Sequence, residues 1–561
     1  MPRIVAGRRV RLLVALVGIG FGQAVAAVVL SLIVEYVFSE LLVVGARPKL
    51  DQLILISGGL AVAVAGGAWL RLRERVDAER LGQDYVHELR IMLFEKLTSS
   101  SARALQKHSQ GATNLRFIGD ITALRRWVSL GLARLLVATT MLVGALVALA
   151  VLSRLLAGIV LVVMIIAGTG ALVLGRGLRS AARLARRRRS RLAANVNEKI
   201  GTVAVVQAFG QEERERRRVK KQSQRLRRAM VERARFAGRL RAVTEGAAGA
   251  AVAAVVLAGI TGRTDPGTVA AAMTIVGLLV VPLRDLGRVQ EYWYNARISS
   301  EKIEDFLARP TRLEAVSRAP ELLPGDGRLV FENLGLEDVL TEFNATAEAG
   351  QFVAVVGPNG AGKTTLLLLA ARLVNPDRGH ILLDDQDLLR HNARGVRRAL
   401  GLVSPDLPLL RGSVKRNLLY RWPDAPAEEI ERVISLCELD DVIAALPEGM
   451  DTKVAEGGVG LSAGQRQRLA LARALLGDPA VLLLDEADAN LDHLAAHIVA
   501  RVLERYPGTV LAVTHRRDRI EAADVVWHLR AGRLIEVGPP DRLLTDDTHT
   551  ARMFARDSAI R

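Results

Sequence analysis

Six stretches within the first 283 residues carry no charged side chain: 12–34, 53–70, 135–152, 155–175, 246–262 and 266–283. Each approaches the ~20 apolar residues that an α-helix needs to cross a bilayer. The competing reading, six buried helices of a water-soluble core, demands amphipathic helices to cover them, and the segments between are too few. The stretches therefore read as six membrane spans. The first follows a basic start, MPRIVAGRRVR, and contains AVAA, a combination that also fits a signal peptide with its cleavage site. Its 23 uncharged residues outrun the roughly 7–15 of a signal core, and five more stretches follow, so it is read as a span.

The connections alternate in length. Spans three and four are separated by Ser153 and Arg154 alone, and five and six meet at RTDPG, whose Asp-Pro-Gly is a turn signal. Two long segments, 71–134 and 176–245, hold most of the basic charge of this half, including RRRR at 186–189 and RERRR at 214–218; the other side offers only Arg47, Lys49, Arg154 and Arg263. The positive-inside bias then places both long segments, the N-terminus and everything beyond 283 in the cytoplasm. A net charge of +18 thus reads as topology and contact with anionic membrane lipids. No groove-reading motif accompanies the Arg runs, so no nucleic-acid partner is expected. The single cysteine, Cys437, excludes an internal disulfide framework and a cysteine-based metal site.

From Arg328 onward strands alternate with helices. The apolar strand QFVAVV (351–356) runs into GPNGAGKTT and a Leu-rich helix, which is the strand–loop–helix context of a P-loop. Gly357, Pro358, Asn359, Gly360, Ala361 and Gly362 are expected to wrap phosphates with backbone N–H groups; Lys363 neutralises phosphate oxygens, Thr364 ligates magnesium, and Thr365 continues the turn. A second apolar strand, AVLLLDEAD, delivers Asp485 as a magnesium partner and Glu486 as the group that polarises a water. A third, TVLAVTH, ends in His515, either a structural residue or a γ-phosphate contact. The turn LSAGQ (461–465) is a further anion-ready helix start, carrying Ser462, Gly464 and Gln465.

Taken in order, GPNGAGKTT, LSAGQ, LLLDEADANLD and VTH resemble the ATP-binding cassette of ABC transporters, and six preceding spans resemble an exporter-type half-transporter. The resemblance implies an α-helical six-span transmembrane domain (1–310) followed by an α/β P-loop nucleotide-binding domain (325–561). It implies ATP and Mg2+ as cofactors, and a second half-transporter chain, identical or different, whose P-loop ATP is closed over by Ser462, Gly464 and Gln465 of this one. It also implies that Asp492 links the two sites, that Glu456 meets the membrane domain, and that segments near 100–107 and 200–209 are coupling helices. The expected protein is an ATP-hydrolysing exporter or flippase of a bacterial inner membrane, its cassette in the cytoplasm.

Two positions depart from the resemblance. The family's Gln after the strand LGLV is replaced by Pro405, which has neither side-chain acceptor nor N–H. Asp406 beside it is a candidate substitute acting through a water. Where an aromatic ring stacks on adenine, the chain offers only Leu336 to Asp338, and Phe331 reads as a strand residue. Both departures open an alternative: a weakly hydrolysing or regulatory subunit of a heterodimer. Spans rich in Val, Leu, Ala and Gly, with Gln23 among their few polar residues, favour an amphiphilic or hydrophobic substrate. No domain precedes the first span, so export of a self-processed peptide is not expected.

Overall fold

The computed structural model describes residues 1–43, 49–100, 119–261, 264–309, 319–323, 325–337, 339–487, 493–545 and 547–558. They fall into two compact units, Met1–Glu95 with Gln110–Arg309, and Lys96–Ser109 with Pro310–Arg561.

The first unit holds six helices long and apolar enough to cross a membrane. They are α1 (Arg8–Tyr36), α2 (Leu50–Thr98), α3 (Ile121–Leu152), α4 (Arg154–Gly201), α6 (Glu212–Ile260) and α7 (Pro266–Ala308), with the short α5 (Val203–Ala208) between α4 and α6. Four of them run 43 to 49 residues. At ~1.5 Å per residue that is about 65–75 Å, more than twice the ~30 Å of a bilayer core. The uncharged stretches occupy less than half of each long helix, and the Arg-rich remainder continues it beyond the lipid. Apolar side chains such as Leu55, Val151 and Ile166 lie on the outside, the surface that acyl chains solvate.

Local chemistry sets the joints. Ser153 ends α3 and caps α4, its Oγ accepting from the Leu156 N–H at 3.4 Å. Asp265 caps α7, accepting from the Gly267 N–H at 3.0 Å with Pro266 as the first helical residue, so Asp-Pro-Gly is a helix start here. Gln23, polar within the first span, donates to Glu74 of α2 at 2.8 Å. Arg134 of α3 donates to Asp285 of α7 at 2.8 Å. Helix α5 buries none of its residues, and it coincides with the second expected coupling segment. The first expected segment lies, from 101 on, outside the described residues.

The second unit is an α/β fold on a six-stranded sheet of order β12-β11-β3-β10-β9-β6. Its strands are β3 (Phe352–Val356), β6 (Leu400–Val403), β9 (Val481–Asp485), β10 (Thr509–Val513), β11 (Val525–Arg530) and the antiparallel edge β12 (Arg533–Gly538). Strands β9 and β10 are buried throughout. Their near-continuous aliphatic sequences suit a parallel sheet covered on both faces. A four-stranded antiparallel sheet, β2-β1-β4-β5, comprises β1 (Leu329–Leu336), β2 (Leu340–Ala347), β4 (Arg378–Leu383) and β5 (Gln386–Asp387); β7 (Gly412–Ser413) pairs with β8 (Lys453–Val454). Phe331, Phe343 and Trp527 meet edge to face at 5.5–6.0 Å in the core between the larger sheets. Phe331 is thus a core residue and not an adenine platform.

Candidate nucleotide-binding site

Central strand β3 is flanked by β10 and β11 and ends at Gly357, so the loop that follows leaves the middle of the sheet edge. At Gly357 φ is 146° and a Cβ would lie 2.1 Å from the Leu529 carbonyl oxygen, so only glycine fits there. Pro358, Asn359 and Gly360 are exposed, Ala361 is buried, and Gly362 (φ 102°) precedes α8 (Lys363–Ala370), which carries Thr364 and Thr365 in its first turn. The Lys363 ammonium folds back on the loop, donating to the carbonyls of Gly357 at 2.7 Å and Pro358 at 3.2 Å. Burial lowers its proton affinity, opposed by the charges of Glu486 and Asp485.

Asp485 ends β9, paired in register with Val513 of β10. Thr364 donates to its Oδ1 at 3.0 Å and Ser404 to its Oδ2 at 3.2 Å. Burial raises its pKa above the usual carboxylate value; the two hydroxyl bonds oppose this, and the charges of Glu486 and Asp406 add to it. Glu486 follows in a left-handed conformation (φ 46°), its N–H donating to the Val513 carbonyl at 3.0 Å. Such a φ costs a non-glycine residue about 1–3 kcal/mol and aims its half-exposed carboxylate out of the strand line. His515 Nε2 stands 3.6 Å from Glu486 Oε1. Lys363, Thr364, Asp485, Glu486 and His515 are therefore assembled along one sheet edge.

The turn LSAGQ opens α9 (Ala463–Leu475). Ser462 Oγ accepts from the Gln465 N–H at 3.2 Å while Gln465 Oε1 accepts from the Ser462 N–H at 2.8 Å, a capping box. Ser462 is exposed and Gly464 is buried. The three arginines of this helix are turned onto main chain: Arg466 to Leu461 O at 2.6 Å, Arg468 to Glu438 O at 2.7 Å, and Arg473 to Leu407 O at 2.8 Å. Asp492 lies outside the described residues, as does Asp338.

Sequence reasoning passed over Ser404 and the Arg473 anchor. The signal for Ser404 is positional: it is the first residue beyond β6, which pairs in parallel with β9, so it emerges beside Asp485. Asp406, the expected substitute for the Gln absent at 405, donates its N–H to Ser404 Oγ at 3.3 Å.

The sequence matches the family model of the ABC transporter transmembrane region over residues 12–283 and the ABC transporter family model over 340–489. The ATP-dependent lipid A-core flippase of Pseudomonas aeruginosa is 37% identical over 303 residues, 52% of this chain and 50% of that one. In the flippase matches from three bacteria the chain spans about half the length of the relative. The uncharacterized ABC transporter ATP-binding protein YknV of Bacillus subtilis is 29% identical over 534 residues, 93% of this chain and 88% of that one. The solved structure of a bacterial Atm1-family ABC exporter with ATP bound superposes with a TM-score of 0.84 over 98% of both chains at 24% identity, a likeness of fold.

Proposed function

Because this chain belongs to the ABC transporters, as an exporter-type half-transporter with both of the family's regions in one polypeptide, we propose that it drives an amphiphilic or hydrophobic substrate across, or between the leaflets of, a membrane at the expense of ATP hydrolysis. The observation that carries this reading is the assembly of Lys363, Thr364, Asp485, Glu486 and His515 at one sheet edge, in a chain with six spanning helices. Residues 1–310 are taken as the transmembrane domain and 325–561 as the ATP-binding cassette.

In this reading the loop from Gly357 to Thr365 cradles the phosphates of ATP with backbone N–H groups, and Lys363 leaves its carbonyl partners to bind them. Among the described residues no cluster of three or more His, Cys, Asp or Glu could hold a metal. The Thr364 hydroxyl and an Asp485 carboxylate oxygen, hard donors 3.0 Å apart beside the phosphate loop, fit Mg2+, which takes one or two protein oxygens and completes its shell with phosphate and water. Bound there, Mg2+ would neutralise phosphate charge. Glu486 orients and deprotonates the attacking water, and His515 steadies the developing γ-phosphate charge.

The signature residues Ser462, Gly464 and Gln465 serve the ATP of a second half-transporter chain. The dimer's preference for the ATP-bound closed state is what shifts the spans between their two openings. An apolar cavity of about 350 Å³ among α3, α4, α6 and α7, with Thr244 and Gln290 as its polar groups, supports an amphiphilic substrate. The charge asymmetry between the two sides of the spans supports a cytoplasmic cassette, and the bacterial relatives support a bacterial inner membrane. Pro405 and the absent adenine ring support a second reading, a weakly hydrolysing subunit paired with a more active one. Turnover of the purified chain in lipid nanodiscs, alone and as Glu486→Gln, decides: hydrolysis abolished by the substitution supports the self-sufficient pump. A folded, ATP-binding wild type without turnover overturns it in favour of the second reading.

A further inference from the structure

We propose that Ser404 is a positioning residue for the divalent cation: its hydroxyl fixes the Asp485 carboxylate that presents one oxygen to Mg2+. This rests on the ATP-site reading above. The geometry begins in the sheet. Strands β6 and β9 pair in parallel from Leu400↔Val481 to Val403↔Leu484, so the next residues, Ser404 just beyond β6 and Asp485 at the end of β9, stand side by side at the sheet edge. The two oxygens of Asp485 then receive one hydroxyl each, Thr364 on Oδ1 and Ser404 on Oδ2. The two bonds are not equivalent. Thr364 is itself a candidate ligand, and a cation shared between its Oγ1 and Asp485 competes with the bond between them. The Ser404 bond lies on the other oxygen and is free of that competition, so it is the one able to hold the carboxylate plane while metal is bound.

The surrounding loop is built to hold that hydroxyl still. Ser404 is 9% exposed, and its Oγ accepts from the Asp406 N–H at 3.3 Å, which leaves its own proton for Asp485. The Leu407 N–H closes a turn on the Ser404 carbonyl at 3.0 Å. Pro405 occupies the second position of that turn, where a fixed φ is an advantage. The far side is fastened by Arg473, which donates to Leu407 O at 2.8 Å and Pro408 O at 3.4 Å. Proline at 405 thus removes a long polar side chain from the loop, and stiffens the neighbouring serine against the metal-side carboxylate. Outer partners of this kind are worth about 10–100-fold in metal affinity.

The test uses the full chain in nanodiscs with Glu486→Gln to prevent turnover, and a fluorescent ATP analogue titrated once in EDTA and once in Mg2+. The ratio of the two affinities isolates what the metal contributes. Ser404→Ala is expected to cut that ratio about tenfold and leave the EDTA affinity unchanged, with Ser404→Thr restoring the ratio. A ratio unchanged in Ser404→Ala, an equal loss in the Ala and Thr variants, or a parallel fall in the EDTA affinity would overturn the proposal. Failure of the wild type to bind the analogue in either condition would overturn the ATP-site reading, and this proposal with it.

Discussion

The chain builds an anion-ready turn at a helix start twice, and the two turns differ in what holds them. The loop at 357–364 takes its shape from glycine backbone conformations, with the Lys363 ammonium resting on carbonyls that phosphate oxygens can replace. The turn at 461–465 is closed by its own side chains, Ser462 and Gln465 bonding reciprocally, and its arginines are committed to main-chain oxygens. One has a buried lysine, two threonines and a carboxylate-bearing strand at hand; the other presents an exposed serine. In the proposed reading the first holds a nucleotide by itself and the second adds to one held by another chain, which is why a second chain enters the mechanism.

The largest expected contrast follows from the chemistry placed at the first turn alone. Glu486→Gln should lower ATP turnover about 10²–10⁴-fold, the range for a general base, while nucleotide binding persists. Steady-state phosphate release alongside equilibrium ATP binding checks it. A variant retaining full turnover would remove Glu486 from the chemistry.

Next comes a complementation experiment. Lys363→Ala chains should bind ATP poorly, and Ser462→Arg chains should bind it but turn over about 10–100-fold more slowly, the loss of a hydrogen bond to a charged group. Mixed dimers of the two contain one composite site with both native turns, so turnover in the mixture should exceed that of either variant alone. Turnover no better than the parents would break the division of labour between the turns.

Much of this division was legible in the sequence, for reasons that particular residues make clear. The end of α3 and start of α4 fall where Ser153 and Arg154 interrupt an apolar run, because charge and a capping hydroxyl are local signals. The P-loop was legible because glycine spacing, Lys363 and Thr364 lie within eight consecutive residues of one motif. Helix lengths were harder: the polar extensions of α2, α4, α6 and α7 carry no membrane signal, so the 43 to 49 residues of each emerge only in the structure. Ser404 was illegible because its neighbour Asp485 is brought to it by sheet register, which a linear reading does not contain. The same holds for Arg473, whose partners at 407 and 408 are main-chain atoms and leave no trace in residue type.

A smaller effect separates the two possible tasks of Ser462. Ser462→Ala removes a capping acceptor and should destabilise the cassette by about 1 kcal/mol, whereas Ser462→Asp keeps the cap. Placed against a partner's phosphate, however, the aspartate adds a like charge. Thermal melts should therefore show a lowered midpoint for Ala and none for Asp, and turnover should fall furthest for Asp. Turnover that follows the melting midpoint in both variants would reduce Ser462 to its capping role.

The smallest effect lies on the flank of the first turn. His528 of β11 pairs in register with Val356, the residue before Gly357, and its buried ring meets Thr550 Oγ1 at 2.9 Å in the C-terminal helix α10 (His549–Ser558). Glu536 fastens the same helix, accepting from Thr550 Oγ1 at 2.7 Å and from the Thr550 N–H at 3.0 Å. Burial holds the His528 pKa below its ordinary value, with the Glu536 charge opposing. A histidine whose folded pKa is depressed binds its proton more readily once unfolded, so stability rises with pH between the two values. The stabilisation is complete above the unfolded value of about 6.5 and is lost as pH falls through the folded one. Acidification from pH 7 to 5 should therefore lower the protection factors of amides in α10 and along β11, and His528→Gln should flatten that dependence. The turn at 461–465 contains no titratable side chain, so its exchange, corrected for intrinsic rates, should stay level over the same range. Equal acid sensitivity at both turns would point to loosening of the whole cassette, and would deny the phosphate loop the local tie to its C-terminal helix that distinguishes it here.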